Sequence, residues 1–518
     1  MIYFIIYFIL LFIVWYLNRE NSLASVFRST RNTKWIVAAI SMFMLLDGDM
    51  GQLYSGIIYE KGIWGLWLLW VGMISTAIVP IVFAPMWVKL NLLTDNQFTL
   101  YRFSGRSALI LHKFRALYVG GIIVAFVLAF RTVAFGRILQ VYYDIPMSYS
   151  VLITGTLLSL FALKNTYSTK FKTDILHGII YIISLIMVFY FLYKSSGGHH
   201  YVIEAIRAKS PDTLSVIPPK GNQALWNSLF IYLGVQWWST STYDGGGPEM
   251  SRYTATGSKW RAIKVGLISK LMAMPIMFAV IMMALMSLVI SNFNNNGEIG
   301  FIISIFNSIP DYLSPFILLG FFALFISSSE STLNWGASFL AVDYYKGYIN
   351  KHKSEKHYTR ISFISMLFLS IISTIIAYYV DSLELLVKIM FSVSAGVAPV
   401  FILRWFWMRI NAWSQLSAML SSGVYTLLFY SLQGYFTDFF AQSDIQIYEW
   451  RLIIVTALTS FTWLTVTMLT PKDDAETIER FLKILPPKGE IIKSFVLAIA
   501  IGIAVLIITA LLVYWMFS

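Results

Sequence analysis

Long apolar runs recur along the whole chain, and short polar connections separate them. A helix that crosses a hydrocarbon core of about 30 Å needs roughly 20 apolar residues. Fourteen runs approach or exceed this length. The predicted helices lie near residues 1–17, 35–54, 62–84, 117–136, 148–163, 174–193, 223–242, 265–291, 311–342, 360–380, 385–403, 412–433, 451–470 and 494–517. The pattern therefore predicts an all-α integral membrane protein with about fourteen transmembrane helices.

The composition agrees with this prediction and narrows the class. Hydrophobic residues make up 58% of the chain and charged residues 12%, whereas charged residues make up about 25% of a typical soluble domain. The chain has no cysteine, which excludes disulfides and thiolate metal sites. The net charge of +12 is spread over short loops and forms no basic arm. We therefore expect a lipid bilayer around the chain and no nucleic-acid partner.

The basic residues are distributed unevenly between alternate loops. Loops on one side of the predicted helices hold 28 Lys and Arg residues, and loops on the other side hold 7. Because cytoplasmic loops carry the excess of basic residues, both termini are predicted to lie outside the cytoplasm. No basic segment precedes the first apolar run, so we expect a retained helix and not a signal peptide.

Two carboxylates interrupt the second predicted helix. Asp47 and Asp49 flank a glycine in the segment LLDGDMGQ, and Gln52 follows one turn later. This arrangement is typical of a locally broken transmembrane helix, whose freed carbonyls and side-chain oxygens can bind a cation or a polar solute. The alternative is that the helix ends early and the two acids lie in a water-filled vestibule.

A run of polar residues interrupts the ninth predicted helix. In the segment SSSESTLNWGAS, helical spacing places Ser327, Glu330, Ser331, Asn334 and Ser338 on one stripe. Hydroxyl oxygens are hard ligands of the kind that suit Na⁺. The alternative is that the small serines allow close packing of helices.

Packing alone does not account for the carboxylate of Glu330, because a charged group in a membrane helix is costly. One interpretation is a structural ion pair with Arg131 or Lys270, which also lie in predicted helices. The other is a proton carrier, since intramembrane acids carry protons in pumps and transporters.

Aromatic and glycine residues mark a second helix break. The segment GVQWWSTSTYDGGGPEMSRY places Gln236, Trp237, Trp238 and Tyr243 directly before a glycine run. Aromatic side chains beside a broken helix can line a solute pocket, although tryptophan is also common at membrane interfaces. No GK[ST] follows the glycines, and HExxH and GxSxG motifs are absent from the sequence. We therefore expect neither an enzyme nor an organic cofactor.

Taken in order, several segments resemble the sodium:solute symporter family. The segment from Ser327 to Lys346 is similar to the family pattern S-S-x-x-S-x-L-N-S-x-A-[ST] followed by D-x-Y-K. Four further segments resemble other motifs of the family: NQFTLYRFSGRSA, STKFKTDILHGII, GVQWWSTSTYDGGGPEMSRYTATGSK and LRWFWMRINAWSQLSAM. The chain departs from the family at Asp47 and Glu330, where relatives have apolar or small residues, and at Ser251, where they have glutamine.

The resemblance implies an architecture of two inverted repeats of five helices with additional flanking helices. Residues 1–33 are then an N-terminal extra helix and loop, residues 34–411 a transporter core of ten helices, and residues 412–518 three C-terminal transmembrane helices. The solute site is expected near the middle of the membrane, at the broken helices.

The resemblance also implies a sodium site. The hydroxyls of Ser327 and Ser328 match the family's hydroxyl ligands. The carbonyls of Leu324, Phe43 and Leu46 are expected to complete the ligand set, and Asp174 matches an acid beside it.

These observations predict Na⁺-coupled symport of a small polar organic solute, which is a sugar, a sugar acid, an amino acid or an amine, into the cytoplasm. The candidate residues for solute binding or coupling are Asp47, Asp49, Gln52, Gln236, Trp237, Trp238, Tyr243 and Glu330. Two alternatives are a proton-coupled transporter of the same fold that uses Asp47 or Glu330, and a solute sensor that acts through a partner protein. No feature of the sequence indicates the oligomeric state.

Overall fold

The computed structural model describes residues 2–17, 32–46, 50–162, 167–239, 243–292, 297–380 and 382–517. Every regular element in these residues is a helix. Nine of the described helices are long and apolar enough to cross a membrane: Ile63–Leu90, Gly105–Tyr143, Thr169–Ser195, Lys259–Ile290, Ser314–Ile349, Glu355–Tyr378, Leu383–Leu403, Ile447–Leu469 and Lys488–Phe517. Three shorter apolar helices are Ile2–Val14, Trp35–Leu45 and Met147–Ala162. The all-helical class predicted from the apolar runs is confirmed.

Each of the fourteen predicted runs contains a helix, but several boundaries differ. The helix predicted to start at residue 174 starts at Tyr167 and runs to Ser195. Further helices lie in connections that the sequence predicts to be loops, among them Gln97–Arg102, Gly105–Leu117, Gly198–Lys209, Pro248–Ala255, Gly297–Ser308, Thr437–Gln442 and Ala475–Leu482. The count of fourteen membrane crossings, the inverted repeat and the division at residues 33 and 411 stay predictions.

The helices Trp35–Leu46 and Met50–Lys61 lie on either side of the first predicted break, whose residues 47–49 lie outside the described residues. At the second predicted break, the described residues show an interruption. The helix Gln223–Gly234 ends well before Pro248–Ala255 begins. Gly245 and Gly247, which lie between these two helices, have φ angles of 71° and 67°. Residues other than glycine rarely adopt such angles. Proline then starts the next helix, where its missing N–H costs no hydrogen bond.

The chain divides into two compact units. The first comprises Met1–Ile63, Ala116–Leu214 and Ser251–Glu384. In this unit, the helix Tyr167–Ser195, called here the Asp174 helix, packs against Ser314–Ala337, called here the serine helix. A methyl group at Gly320 of the serine helix would overlap Ser184 of the Asp174 helix. The two small residues therefore allow a close approach of these helices.

The second unit comprises Trp64–Arg115, Ser215–Met250 and Leu385–Ser518. Its helices Ala412–Leu432 and Ile447–Leu469 pack together. An aromatic cluster forms around Trp405, whose ring centre lies 4.5 Å from that of Phe98 and 5.1 Å from that of Trp87. Burial of such large rings contributes strongly to packing within this unit.

Candidate functional site

The polar run of the serine helix lies inside the first unit and is almost entirely buried. Ser327 and Ser328 are 1% and 0% exposed, and Glu330 is 8% exposed. A polar group buried at this depth costs free energy unless it has a partner. The contacts of these side chains therefore determine what the site can bind.

Asp174 is the point at which the Asp174 helix meets the serine helix. Its Oδ1 atom accepts a hydrogen bond from the Ser327 hydroxyl at 2.5 Å. The same oxygen accepts one from the ammonium of Lys170, one turn earlier on the same helix. The hydroxyl of Ser41, on the helix Trp35–Leu46, donates to the second oxygen of Asp174. One carboxylate thus connects three helices, including two that the resemblance assigns to the sodium site.

Lys170 makes further contacts with the serine helix. Its Nζ atom lies 2.7 Å from the carbonyl oxygen of Ser327 and 3.4 Å from the hydroxyl oxygen of the same residue. It also lies 3.5 Å from Oε2 of Glu330. The side chain of Lys170 is 0% exposed, so these protein oxygens take the place of water around the ammonium. The sequence suggested Arg131 or Lys270 as the partner of Glu330, whereas the structure shows an ion pair with Lys170.

Arg252 adds a second cation to the same region. Its Nη2 atom donates to the Ser331 hydroxyl at 2.6 Å and lies 4.0 Å from Oδ2 of Asp174. Its Nε atom donates to the Ser41 hydroxyl at 3.3 Å. We call Lys170, Asp174, Arg252 and Glu330 the charged cluster. With both carboxylates ionised, its charges balance without any added ion.

Arg131 occupies the neighbouring part of the serine helix. Its Nη1 atom donates to the Ser328 carbonyl at 2.5 Å and to the hydroxyl of Thr332. Its Nη2 atom donates to the Leu45 carbonyl at 3.3 Å, close to the end of the helix Trp35–Leu46. The Ser328 hydroxyl donates to the Phe325 carbonyl within its own helix at 3.3 Å. A guanidinium group therefore joins the serine helix to the helix Trp35–Leu46.

Two of the residues expected to supply carbonyl ligands lie close together. Phe43 and Leu324 are buried in one apolar cluster with Met44 and Tyr181. Leu46 is the last residue of its helix. The structure thus brings the helix Trp35–Leu46 and the serine helix together at the expected place, while the role of these carbonyls stays a prediction.

A cavity lies beside this region, within the first unit. Its volume of about 40 Å³ is below the usual range for small-molecule sites, so a bound solute would require this cavity to widen. The lining is Gly51, Gln52, Phe135, Ile138, Tyr181, Leu185, Val188, Val280, Met283, Phe301, Ile302, Ile305, Phe321, Leu324 and Phe325. Gln52 was a candidate from the sequence. Its Nε2 atom donates to the Ala134 carbonyl at 2.9 Å, and its buried Oε1 atom has no hydrogen-bond partner among the described residues.

Asp47 and Asp49 lie outside the described residues. The remaining four candidates from the sequence belong to the second unit: Gln236, Trp237, Trp238 and Tyr243. Gln236 donates to the Leu68 carbonyl and accepts from the Tyr448 hydroxyl at 2.8 Å. The Trp238 indole donates to the Ala395 carbonyl at 3.1 Å and contacts Trp237 edge to face. The Tyr243 ring lies 5.3 Å from that of Phe401. Gln236 and Trp238 thus have structural partners, and solute contacts for all four stay predictions.

The sequence did not predict the role of Asp244, which fixes the segment at the second helix break through several hydrogen bonds. The carboxylate of Asp244 accepts hydrogen bonds from Arg404 at 2.6 Å and from the Trp405 indole at 2.7 Å. Its backbone carbonyl accepts one from the Trp87 indole at 2.6 Å. Asp244 and Arg404 both lie in segments that resemble family motifs, but they are 160 positions apart in the sequence. Periodicity along one chain does not reveal a contact of this range.

Arg102 contacts backbone carbonyls and one carboxylate of the second unit. It donates to the carbonyls of Arg404 at 2.7 Å and Ile410 at 3.2 Å, and it pairs with Asp473 at 3.4 Å. Burial lowers the pKa of Arg102 to about 10, although the charge of Asp473 opposes this shift. Burial also raises the pKa of Asp473, against the hydrogen bond from the Ser104 backbone and the charge of Arg102. For both groups, the effect of burial on the pKa is therefore larger than that of their mutual attraction.

Comparison with known proteins places this architecture in a family. The model of the sodium:solute symporter family matches residues 27–422. The osmoregulated proline transporter OpuE of Bacillus subtilis (strain 168) is 24% identical over 349 residues, which cover 63% of this chain and 64% of that protein. The chain thus matches somewhat less than two thirds of the length of this relative.

A solved structure of a Na⁺-coupled sialic acid symporter, in a substrate-bound outward-open state, has the same fold. It aligns with a TM-score of 0.67 at 18% identity, over 89% of this chain and 96% of that chain. These relatives are transporters and not enzymes. Since the family model covers most of the chain, the protein belongs to the sodium:solute symporter family.

Proposed function

We propose that this protein is a secondary active transporter that carries a small polar organic solute into the cytoplasm together with Na⁺. Family membership supports transport, symport and Na⁺ as the coupling ion. The observation that carries the proposal is the junction at Ser327 and Asp174, where buried hydroxyl and carboxylate oxygens from two helices lie 2.5 Å apart. Oxygen ligands of this kind suit a hard cation.

The coupling ion supplies the free energy for accumulation. One charge that moves through 100 mV contributes about 2.3 kcal/mol before any concentration gradient is counted. The proposed ligands are the hydroxyls of Ser327 and Ser328 with the carbonyls of Leu324, Phe43 and Leu46, beside Asp174. Bound Na⁺ would favour the state that binds solute, so each of the two ligands raises the affinity for the other by the same factor.

The cavity in the first unit is the proposed place for part of the solute. Its walls are mainly apolar, and Gln52 offers an amide oxygen without a partner among the described residues. Asp47 and Asp49, which lie outside the described residues, are proposed as further solute ligands of this unit. The candidates for solute contacts in the second unit, considered by itself, are Gln236, Trp237, Trp238 and Tyr243. The relatives' named solutes, proline and sialic acid, both carry a carboxylate. Amino acids and sugar acids are therefore the first solutes to test, followed by sugars and amines.

The proposed location is a bacterial inner membrane, with several crossings and both termini outside the cytoplasm.

The second candidate function is proton coupling through Asp47 or Glu330. It is supported by the buried position of Glu330, 3.5 Å from the ammonium of Lys170. Uptake driven by a pH gradient alone, in choline medium without Na⁺, would favour this second candidate.

The experiment has two stages. Thermal unfolding of the purified protein with panels of amino acids, sugar acids, sugars and amines identifies the solute, because a ligand at about 100 times its Kd stabilises by about 2.7 kcal/mol. Uptake of that solute into proteoliposomes is then compared in Na⁺ and choline gradients. We expect accumulation only with Na⁺, and its loss in Ser328→Ala. Equal uptake in both gradients would contradict the proposal.

Ser329→Ala is the matched control for Ser328→Ala. Ser329 is the next residue of the serine helix and is equally buried. Its hydroxyl has no hydrogen-bond partner among the described residues. The Na⁺ dependence of uptake should therefore be the same in this variant as in the wild type.

A further inference from the structure

The cation position at Ser327 is already filled by the chain itself. The ammonium of Lys170 lies 2.7 Å from the Ser327 carbonyl oxygen and 3.4 Å from its hydroxyl oxygen. It also donates to Asp174. We propose that Lys170 is a built-in competitor of Na⁺ for the oxygens of Ser327 and Asp174, and that Na⁺ binding displaces its ammonium toward Glu330. This inference rests on the proposed function and adds a residue that regulates its ion site.

Lys170 and Na⁺ cannot occupy this position together. The ammonium and a sodium ion on the same serine would be like charges within one ligand shell, in a region closed to water. Burial weakens the screening that would otherwise reduce their repulsion. Lys170 and Arg252 already balance the charges of Asp174 and Glu330, and Arg131 lies against the Ser328 carbonyl. An additional ion therefore requires that one of these cations withdraws.

Lys170 is the cation best able to withdraw. Arg252 donates to Ser331 and Ser41 through separate nitrogens, and Arg131 bridges two helices by way of Ser328 and Leu45. A lysine has a single ammonium on a flexible stem, so its contacts change without movement of the backbone.

Glu330 provides the second position for the ammonium. It lies one turn after Ser327 on the serine helix, and its Oε2 atom is 3.5 Å from Nζ of Lys170. A short movement toward this carboxylate would keep the ammonium paired with a negative charge while the oxygens of Ser327 and Asp174 become available. This role explains a carboxylate in the serine helix that helix packing does not require.

The consequence is a lowered affinity for Na⁺. When the competent form of a site is only partly populated, the observed Kd equals the intrinsic Kd divided by that fraction. Removal of the ammonium should therefore tighten Na⁺ binding. Removal of the Glu330 charge should weaken it, because the displaced ammonium would lose its alternative partner.

The test measures binding of radioactive sodium to the purified full chain at constant ionic strength, with choline as the replacing cation. No solute is needed, so a failure here is distinct from a failure of the transport proposal. We expect Lys170→Met to lower the Kd for Na⁺ about tenfold or more, a change that corresponds to about 1.4 kcal/mol. Binding that is detected only in this variant would contradict the displacement of the ammonium by Na⁺ in the wild type.

Lys172→Met is the matched control. It removes the same charge from the same helix, but at an exposed position two residues away. Its Kd for Na⁺ should equal that of the wild type. A folded Lys170→Met variant that binds Na⁺ with unchanged or weaker affinity would overturn the proposal.

A second variant keeps the proposal testable if Lys170→Met does not fold. Glu330→Gln preserves the shape of the side chain and removes its charge. We expect it to raise the Kd for Na⁺ at least about threefold. An unchanged or lower Kd in Glu330→Gln would contradict the displacement of the ammonium toward this residue.

Discussion

The ammonium of Lys170 lies 2.7 Å from the carbonyl oxygen of Ser327, on the residue that the resemblance assigns to the sodium ion. Asp174 joins the two residues by accepting a hydrogen bond from each of them. An ion site that is built around a resident cation differs from a preformed empty site, because the ion must replace an existing contact. This relationship connects the fold of the first unit with the proposed control of ion binding.

Replacement of Gln52 tests the cavity as the solute site. Gln52→Met keeps the length of the side chain and removes the amide oxygen that has no partner among the described residues. We expect the KM for the solute found by thermal screening to rise about tenfold, since a lost hydrogen bond to a buried group costs about 1–3 kcal/mol. The measurement is the initial rate of uptake into proteoliposomes as a function of solute concentration.

Gln223→Met is the control for this variant, because Gln223 is exposed at the start of its helix. Its KM should equal that of the wild type. An unchanged KM in Gln52→Met would remove Gln52 from the solute site.

Replacement of Asp244 tests the anchor of the second helix break. Asp244→Asn leaves the Trp87 contact with the backbone in place but removes the charge that faces Arg404. Loss of one partner of a buried ion pair costs about 3–5 kcal/mol, because the remaining charge stays buried. We expect a clear fall in the midpoint of thermal unfolding in detergent.

Asp438→Asn, at an exposed position of the same unit, is the matched control. Its midpoint of thermal unfolding should equal that of the wild type. Equal midpoints for Asp244→Asn and the control would show that the ion pair adds no stability.

The apolar runs and the order of the motifs were sufficient to predict the helical fold and part of the candidate ion site. Apolar runs of roughly 20 residues specify membrane helices through length alone, so every predicted run contains a helix. The glycine run at 245–247 correctly indicated an interruption, because glycine disfavours a continuous helix. The break predicted at Asp47 and Asp49 stays a prediction. Ser327 and Asp174, identified from the resemblance, lie in direct contact.

Lys170 was missed because it lies in a polar segment that was read as a cytoplasmic loop. The helix begins at Tyr167, so Lys170 lies inside it, one turn before Asp174. The spacing of four residues between two opposite charges was the available signal. The pair formed by Asp244 and Arg404 left no such signal, since it depends on tertiary packing across 160 positions.

Replacement of Arg102 tests whether its buried hydrogen bonds and ion pair stabilise the second unit. This arginine is 0% exposed, and its removal would leave three backbone carbonyls and Asp473 with fewer partners. Arg102→Met should lower the free energy of unfolding by about 3–5 kcal/mol. The measurement is denaturant or thermal unfolding in detergent micelles.

Arg106→Met, four residues later at an exposed position, should change the free energy of unfolding by less than about 0.5 kcal/mol. If both variants were equally stable, the network around Arg102 would not contribute to the stability of this unit.

The most direct test of the central claim is the Na⁺ dependence of solute uptake by the wild type and by Lys170→Met, measured side by side in proteoliposomes. We predict that both proteins require Na⁺ and that the half-saturating Na⁺ concentration is about tenfold lower in the variant, because the competing ammonium is absent. Superimposed Na⁺ curves for the two proteins, or equal uptake in Na⁺ and choline by the wild type, would contradict the account.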